Sequence, residues 1–173
     1  MSPFRPDLVD VWIFRAPEAD SVTSGRQAPY PEILLLRRSP GRILPGLWQC
    51  VSGSLEAGES VTEGALRELR EETGFGAAQI EGFFDLDQVN QFHEPSFEAI
   101  VTSAIFAVRV HPRSEPTLSH EHDAMRWVSP ADALELAIWP AYRESIRRIS
   151  ENLLDPDRAI WFELTLEGQR ARR

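Results

Sequence analysis

The chain has 173 residues, with 18 Lys+Arg against 27 Asp+Glu and a formal net charge of −9, a length that suits one domain able to bury its own core. That acidic balance argues against a non-specific grip on a nucleic-acid polymer or an anionic membrane, so phosphate must be met locally, by a metal or a few arginines. Cys50 is the sole cysteine, which excludes an intrachain disulfide, and the start MSPFRPDLVD lacks a basic segment followed by an apolar run; a cytoplasmic protein without a membrane span is expected.

Leu8 to Arg15 is rich in Val, Ile and aromatic residues and predicts a strand. Residues 16–31, APEADSVTSGRQAPYP, predict a long mobile loop. Glu32 to Arg38 (EILLLRR) predicts a fully buried strand and Leu47 to Val51 a third, in which Cys50 is a small buried residue and not a nucleophile. Ser60 followed by Glu63 has the form of a capping box, so a helix starts near Val61, and Gly74 after Thr73 is a left-handed stop. Ile80 to Phe92 and Phe97 to Val110 predict long strands joined by a tight NQFHEPS link, and Met125 to Val128 a short one. Pro130 to Ala137 and Ala141 to Leu153 predict helices, the second with Tyr142, Ile146 and Ile149 on one face. The closing RAIWFELTLEGQRARR is expected to add an edge strand and then fray. The order predicts an α/β fold with a mixed sheet between helical layers, one domain over residues 1–173 with a C-terminal extension at 154–173.

The densest pattern is Gly53 to Phe75, GSLEAGESVTEGALRELREETGF, which spells G-x5-E-x7-R-E-U-x-E-E-x-G-U with U a large apolar residue. At about 100° per residue, Glu68, Glu71 and Glu72 share roughly a third of the helix circumference, while Ala65, Leu66 and Leu69 form a neighbouring apolar stripe. Acids at such spacings repel by a few tenths of a kcal/mol per pair, and a hard divalent cation would offset this. Oxygen-only ligation suits Mg2+ or Mn2+, completed by waters and substrate phosphates.

This segment resembles the Nudix box, the signature of hydrolases that cleave a nucleoside diphosphate linked to another moiety. The resemblance implies an α/β/α sandwich with a mixed sheet, metal ligation and base catalysis by Glu68, Glu71 and Glu72, and an Arg67–Glu59 pair bracing the loop, with Gly53 and Gly74 fixed in the motif. The flanking LPGLWQCVSGSLEAGE, EHDAMRWVSPADA and WPAYRESI are similar to the dihydroneopterin triphosphate pyrophosphatase group and its nucleoside triphosphate relatives. That similarity adds Glu121 as a distant metal ligand, Arg37 as a phosphate contact and Ser52 as a pocket-lining hydroxyl. Trp48, Phe92 and Phe97 are candidates to sandwich a base or pterin ring, against the plainer reading of strand aromatics as core. His93, His111, His120 and His122 have no zinc spacing and are expected at the surface or behind the ligands.

The implied chemistry is attack of water on a phosphorus of a nucleotide or pterin triphosphate, giving monophosphate and pyrophosphate, with Glu68 or Glu71 as base. Competing readings are an ADP-ribose, dinucleoside polyphosphate or oxidised-nucleotide hydrolase, and, outside hydrolysis, a nucleotide sensor or isopentenyl diphosphate isomerase. The full set of acids disfavours the sensor, and a lone thiol offers little to the isomerase. The expected partner is a small polyphosphate, with no nucleic-acid polymer or membrane; a homodimer is compatible with the sequence.

Overall fold

The computed structural model describes residues 4–16, 31–96 and 98–171. The loop expected at 16–31 therefore falls almost wholly outside the described residues, as does Phe97.

Among the described residues, eight strands form one sheet. They are β1 (Phe4–Arg15), β2 (Glu32–Arg38), β3 (Trp48–Gln49), β4 (Val51–Ser54), β5 (Ile80–Glu94), β6 (Ala99–Val110), β7 (His122–Val128) and β8 (Glu163–Leu164). The main path runs β3-β2-β1-β6-β5-β8, with β4 on β1 and β7 on β2. Among the described strands β1 and β6 pair in parallel and the other pairings are antiparallel, so the sheet is mixed.

The sheet splays at its centre. β1 meets β2 only over Ile13–Arg15, whereas β4 pairs with Leu8–Val11 and β3 with Leu36 and Arg37. The strand expected over Leu47–Val51 is thus two short strands broken at Cys50, because the chain leaves β2 there and joins β1.

Alternation of side chains sends two apolar sets to opposite faces. Val9, Val11, Ile13, Leu36 and Val51 pack with Ala65 and Leu69 of helix α1 (Val61–Thr73). Trp12, Phe14, Leu35, Cys50 and Ile105 pack beneath α2 (Pro130–Leu136), α3 (Pro140–Arg148) and α4 (Pro156–Ala159). The result is an α/β/α sandwich.

The long helix expected over Ala141–Leu153 is α3 followed by a π-helical turn at Ile149–Leu153, which keeps Ile149 and Leu153 in the core. The tight link expected after Phe92 is shorter, since β5 continues to Glu94. Nor does the tail fray through residue 171. Beyond β8 it folds back, with Thr165 N donating to Gln169 O and Ala171 N to Glu163 O, and Gly168 abuts Thr62 of α1. Among the described residues, no helix is long and apolar enough to cross a membrane.

Candidate functional site

Helix α1 is set by its ends. Ser60 caps it, its hydroxyl accepting from Glu63 N at 3.3 Å while Ser60 N donates to Glu63 Oε2 at 2.9 Å. Gly74 closes it with φ 73° and donates to Arg70 O, a conformation that costs a glycine nothing. The apolar stripe beside the acids seats the helix on β4 and β1, which delivers the carboxylates to the splay in the sheet.

Arg67 organises the near side. Its guanidinium holds Glu59 through Nε at 2.9 Å and Nη2 at 3.1 Å, Glu68 at 2.8 Å, Glu71 at 3.1 Å and the Ser54 carbonyl at 2.9 Å. Gly53 lies so close to the Glu68 carboxyl that an added Cβ would overlap it. Burial raises the Glu68 pKa, with Arg67 opposing the rise. The Glu59 carboxyl is held below its ordinary range, first by the Arg67 hydrogen bonds.

Glu72 turns inward. It is only 3 % exposed. Ser52 N donates to its Oε1 at 3.3 Å, and its Oε2 has no hydrogen-bond partner and lies 3.6 Å from His122 Nδ1. Burial, then the charges of Glu68 and Glu121, push Glu72 up to about 9, while burial and then Arg38 push His122 down to about 4. Both are neutral near pH 7 in this arrangement, so their contact is not an ion pair.

Glu121 reaches this cluster because the segment before β7 is strapped to the end of α1: Thr117 N donates to Thr73 O at 2.8 Å and Ser119 N to Glu72 O at 3.1 Å. Its carboxylate pairs with Arg42 at 2.9 Å. Arg37 is tied to Asp123 at 2.7 Å with its side chain 41 % exposed, and stands 5.8 Å from the ring of Trp48, over which Arg126 stacks at 4.8 Å. Phe92 is largely exposed on the β5–β6 hairpin.

Among the described residues, no three His, Cys, Asp or Glu side chains converge closely enough to hold a metal as they stand. The reason is visible: Arg67 occupies Glu68 and Glu71, and Arg42 occupies Glu121. The donor chemistry nonetheless fits a hard cation, with carboxylate oxygens alone, an unpartnered buried Glu72 Oε2, and mutual repulsion that raises Glu72. A groove of ≈ 560 Å³ lies outside the box loop, lined by Gly58, Glu63, Arg70 and Leu166 among others, and includes none of Glu68, Glu71, Glu72 or Glu121.

Sequence reasoning missed the far face of the same strands. Asp10, 3 % exposed, sits opposite Ser52 in the β1–β4 ladder. Burial raises its carboxyl to about 6 against the influence of the flanking Ser52 and Ser103 hydroxyls. Those two hydroxyls are the carboxyl's side-chain hydrogen-bond partners, whereas Trp12 Nε1 on the same strand has none among the described residues, which costs roughly 1–3 kcal/mol when nothing meets the group. A lone acid at a core-facing place in LVDVWIF was the available signal.

Comparison with known proteins matches the NUDIX domain over residues 16–149. The chain is 40% identical over 130 residues to an octanoyltransferase of Myxococcus xanthus, a match covering 74% of this chain and 34% of that protein, so it spans about a third of that relative. It is 30% identical over 118 residues to the CTP pyrophosphohydrolase of Escherichia coli, covering 64% of this chain and 76% of that one. A NUDIX hydrolase structure from Listeria monocytogenes is similar with TM-score 0.69 at 26% identity, covering 88% of this chain and 97% of the other.

Proposed function

We propose, from the premise that the chain belongs to the NUDIX family, that it is a pyrophosphohydrolase converting a nucleoside or pterin triphosphate to monophosphate and pyrophosphate. The observation that carries this is the gathering of Glu68 and Glu121, from two distant segments, about the buried Glu72 carboxyl, whose Oε2 has no hydrogen-bond partner among the described residues. The similarity to a CTP pyrophosphohydrolase supports the substrate class.

Glu68, Glu72 and Glu121 are the residues that would hold Mg2+ or Mn2+, with Glu71 beside them. Bound there, the ion would neutralise charge on the phosphoryl oxygens and lower the pKa of water. Glu68 or Glu71 takes the proton from the attacking water; the raised pKa of Glu68 suits that task. Arg67 keeps both in position. Arg37, at the rim with its fork partly exposed, can exchange Asp123 for a substrate phosphate.

For acyl transfer, which the name of the Myxococcus relative would suggest, neither a reactive thiol nor a lysine amine is at hand. Cys50 is buried, its thiol pushed well above the ordinary range by burial and then by Asp10 and Glu72, and the sequence contains no lysine.

The test is a panel of nucleoside triphosphates, dihydroneopterin triphosphate, ADP-ribose and dinucleoside polyphosphates, with Mg2+, followed by product analysis. Release of pyrophosphate and a monophosphate is expected from at least one triphosphate. Cleavage of ADP-ribose or dinucleoside polyphosphates alone would reject the substrate class and leave the box chemistry standing.

A further inference from the structure

Glu72 ends a row of polar side chains that reaches back through the sheet. Strands β3 and β7 flank the C-terminal end of β2, with Gln49 opposite Leu36 and His122 opposite Arg38. Leu36 packs toward α1, so Gln49 opposite it and Arg38 two residues on share the face that looks at the helix carrying Glu72. Gln49, His122 and Glu72 are all buried. Arg38 Nη1 donates to Gln49 Oε1 at 3.2 Å, Gln49 Nε2 lies 3.5 Å from His122 Nε2, and His122 Nδ1 lies 3.6 Å from Glu72 Oε2.

The direction of the row is fixed at its far end. A guanidinium donates and cannot accept, so the Gln49 atom that meets Arg38 is its carbonyl oxygen, and the amide nitrogen is turned to His122. That nitrogen donates, which makes His122 Nε2 the acceptor and leaves it without a proton. The neutral ring then carries its proton on Nδ1, the nitrogen that faces Glu72. A proton on Nε2 would instead confront the Gln49 amide protons and turn a bare lone pair on the carboxyl. His122 Nδ1 and Glu72 Oε2 each lack a hydrogen-bond partner among the described residues, and an approach of about 0.7 Å brings them to an ordinary N–H···O distance. Ser52 N already donates to the other oxygen, Oε1, at 3.3 Å. One donor to each oxygen restrains how the carboxyl can turn.

We propose that Arg38, Gln49 and His122 form a positioning row for Glu72, three donors in series whose last N–H aims the carboxylate that would hold the divalent ion. This rests on the metal-dependent pyrophosphohydrolase reading and adds to it three residues outside the box. None of them touches the reacting atoms; His122 acts through Glu72, and Gln49 and Arg38 act through His122. Partners behind a ligand set its orientation, and their loss typically lowers metal affinity by about 10–100-fold.

The proton position is read first, on the metal-free full chain near neutral pH, from long-range proton–nitrogen-15 spectra of the imidazoles, with His122 assigned by its loss in His122→Asn. A proton on Nδ1 is expected, and a proton on Nε2 would overturn the proposal. Mn2+ affinity is then measured by electron paramagnetic resonance, without substrate, for the wild type, His122→Asn, His122→Leu and Gln49→Leu, each checked by a thermal melt. His122→Leu should lose about tenfold or more in affinity. His122→Asn, whose amide nitrogen falls near the place of Nδ1, should retain most of it. Gln49→Leu releases the tautomer, so its affinity should fall between these two and its spectra should show both proton positions. Wild-type affinity in His122→Leu would overturn the proposal, as would wild-type affinity and proton position in Gln49→Leu. A His122→Asn protein as weak as His122→Leu would overturn it too, by showing that the ring acts through its bulk. A folded wild type that binds no Mn2+ would overturn it together with the metal site. The expected proton position and affinities in a protein that cleaves no triphosphate would instead reject the activity and leave the positioning row standing.

Discussion

Replacing Gly53 with alanine should separate the site from the fold. The new methyl would overlap the Glu68 carboxyl, the far end of a flexible side chain, and the carboxyl must retreat by more than about 1 Å to regain ordinary contact. That retreat breaks or stretches the 2.8 Å bond to Arg67 and draws Glu68 away from Glu72. Misplacement on this scale costs about 100-fold in rate for a group at the reacting centre. The fold should scarcely respond, since Gly53 is half-buried and the clash is with a side-chain tip; a stability loss under about 1 kcal/mol, or roughly 2–4 °C in melting temperature, is expected. Steady-state turnover and a thermal melt on the same preparation decide it. Near-normal turnover with an intact melt would refute the placement of Glu68 at the reacting centre, and gross unfolding would show that the contact supports the sheet.

Glu72→Gln should lower turnover by about two orders of magnitude or more, yet hold or raise the melting temperature, because it removes a carboxylate that burial already disfavours. Glu121→Gln should raise the Mg2+ concentration needed for half-maximal rate; Arg42→Ala, which frees Glu121 from its 2.9 Å ion pair, should lower it, and no shift in either titration would exclude Glu121 from the metal site. Asp10 gives a pH signature. Its folded pKa is raised to about 6 from 3.8, so its contribution is full below about pH 4 and lost as pH rises to about 6, a fall of about 3 kcal/mol relative to Asp10→Asn in denaturant titrations. A constant difference between the two proteins across that range would refute the burial of the carboxyl.

What the sequence made legible was local. The capping box and the Gly74 stop involve residues within a few positions of each other, so the bounds of α1 could be read from Ser60, Glu63 and Gly74 alone. The continuous apolar run of Glu32 to Arg38 likewise placed the buried β2. The burial of Glu72 was hidden because it depends on where β1 and β2 part to admit β4, a property of pairings far apart in the chain. The Arg42–Glu121 pair was hidden for the same reason. Asp10 was visible as an acid among apolar residues, but only the register, with Ser52 opposite it and Ser103 opposite Leu8, reveals which hydroxyls meet it. The edge strand expected in the tail forms as β8, with Leu164 joining the core, whereas the fraying expected after it is not seen through residue 171, because backbone hydrogen bonds fold the chain back and Arg170 pairs with Asp85 at 2.9 Å.

The most direct test of the central claim is the position of the solvent oxygen after cleavage. Hydrolysis of the preferred triphosphate in oxygen-18 water with Mg2+, followed by mass spectrometry of both products, should place the label in the monophosphate, as attack at the α-phosphorus with pyrophosphate as leaving group requires. Label confined to pyrophosphate would mean attack at the β-phosphorus, and label in released orthophosphate would contradict pyrophosphohydrolysis altogether.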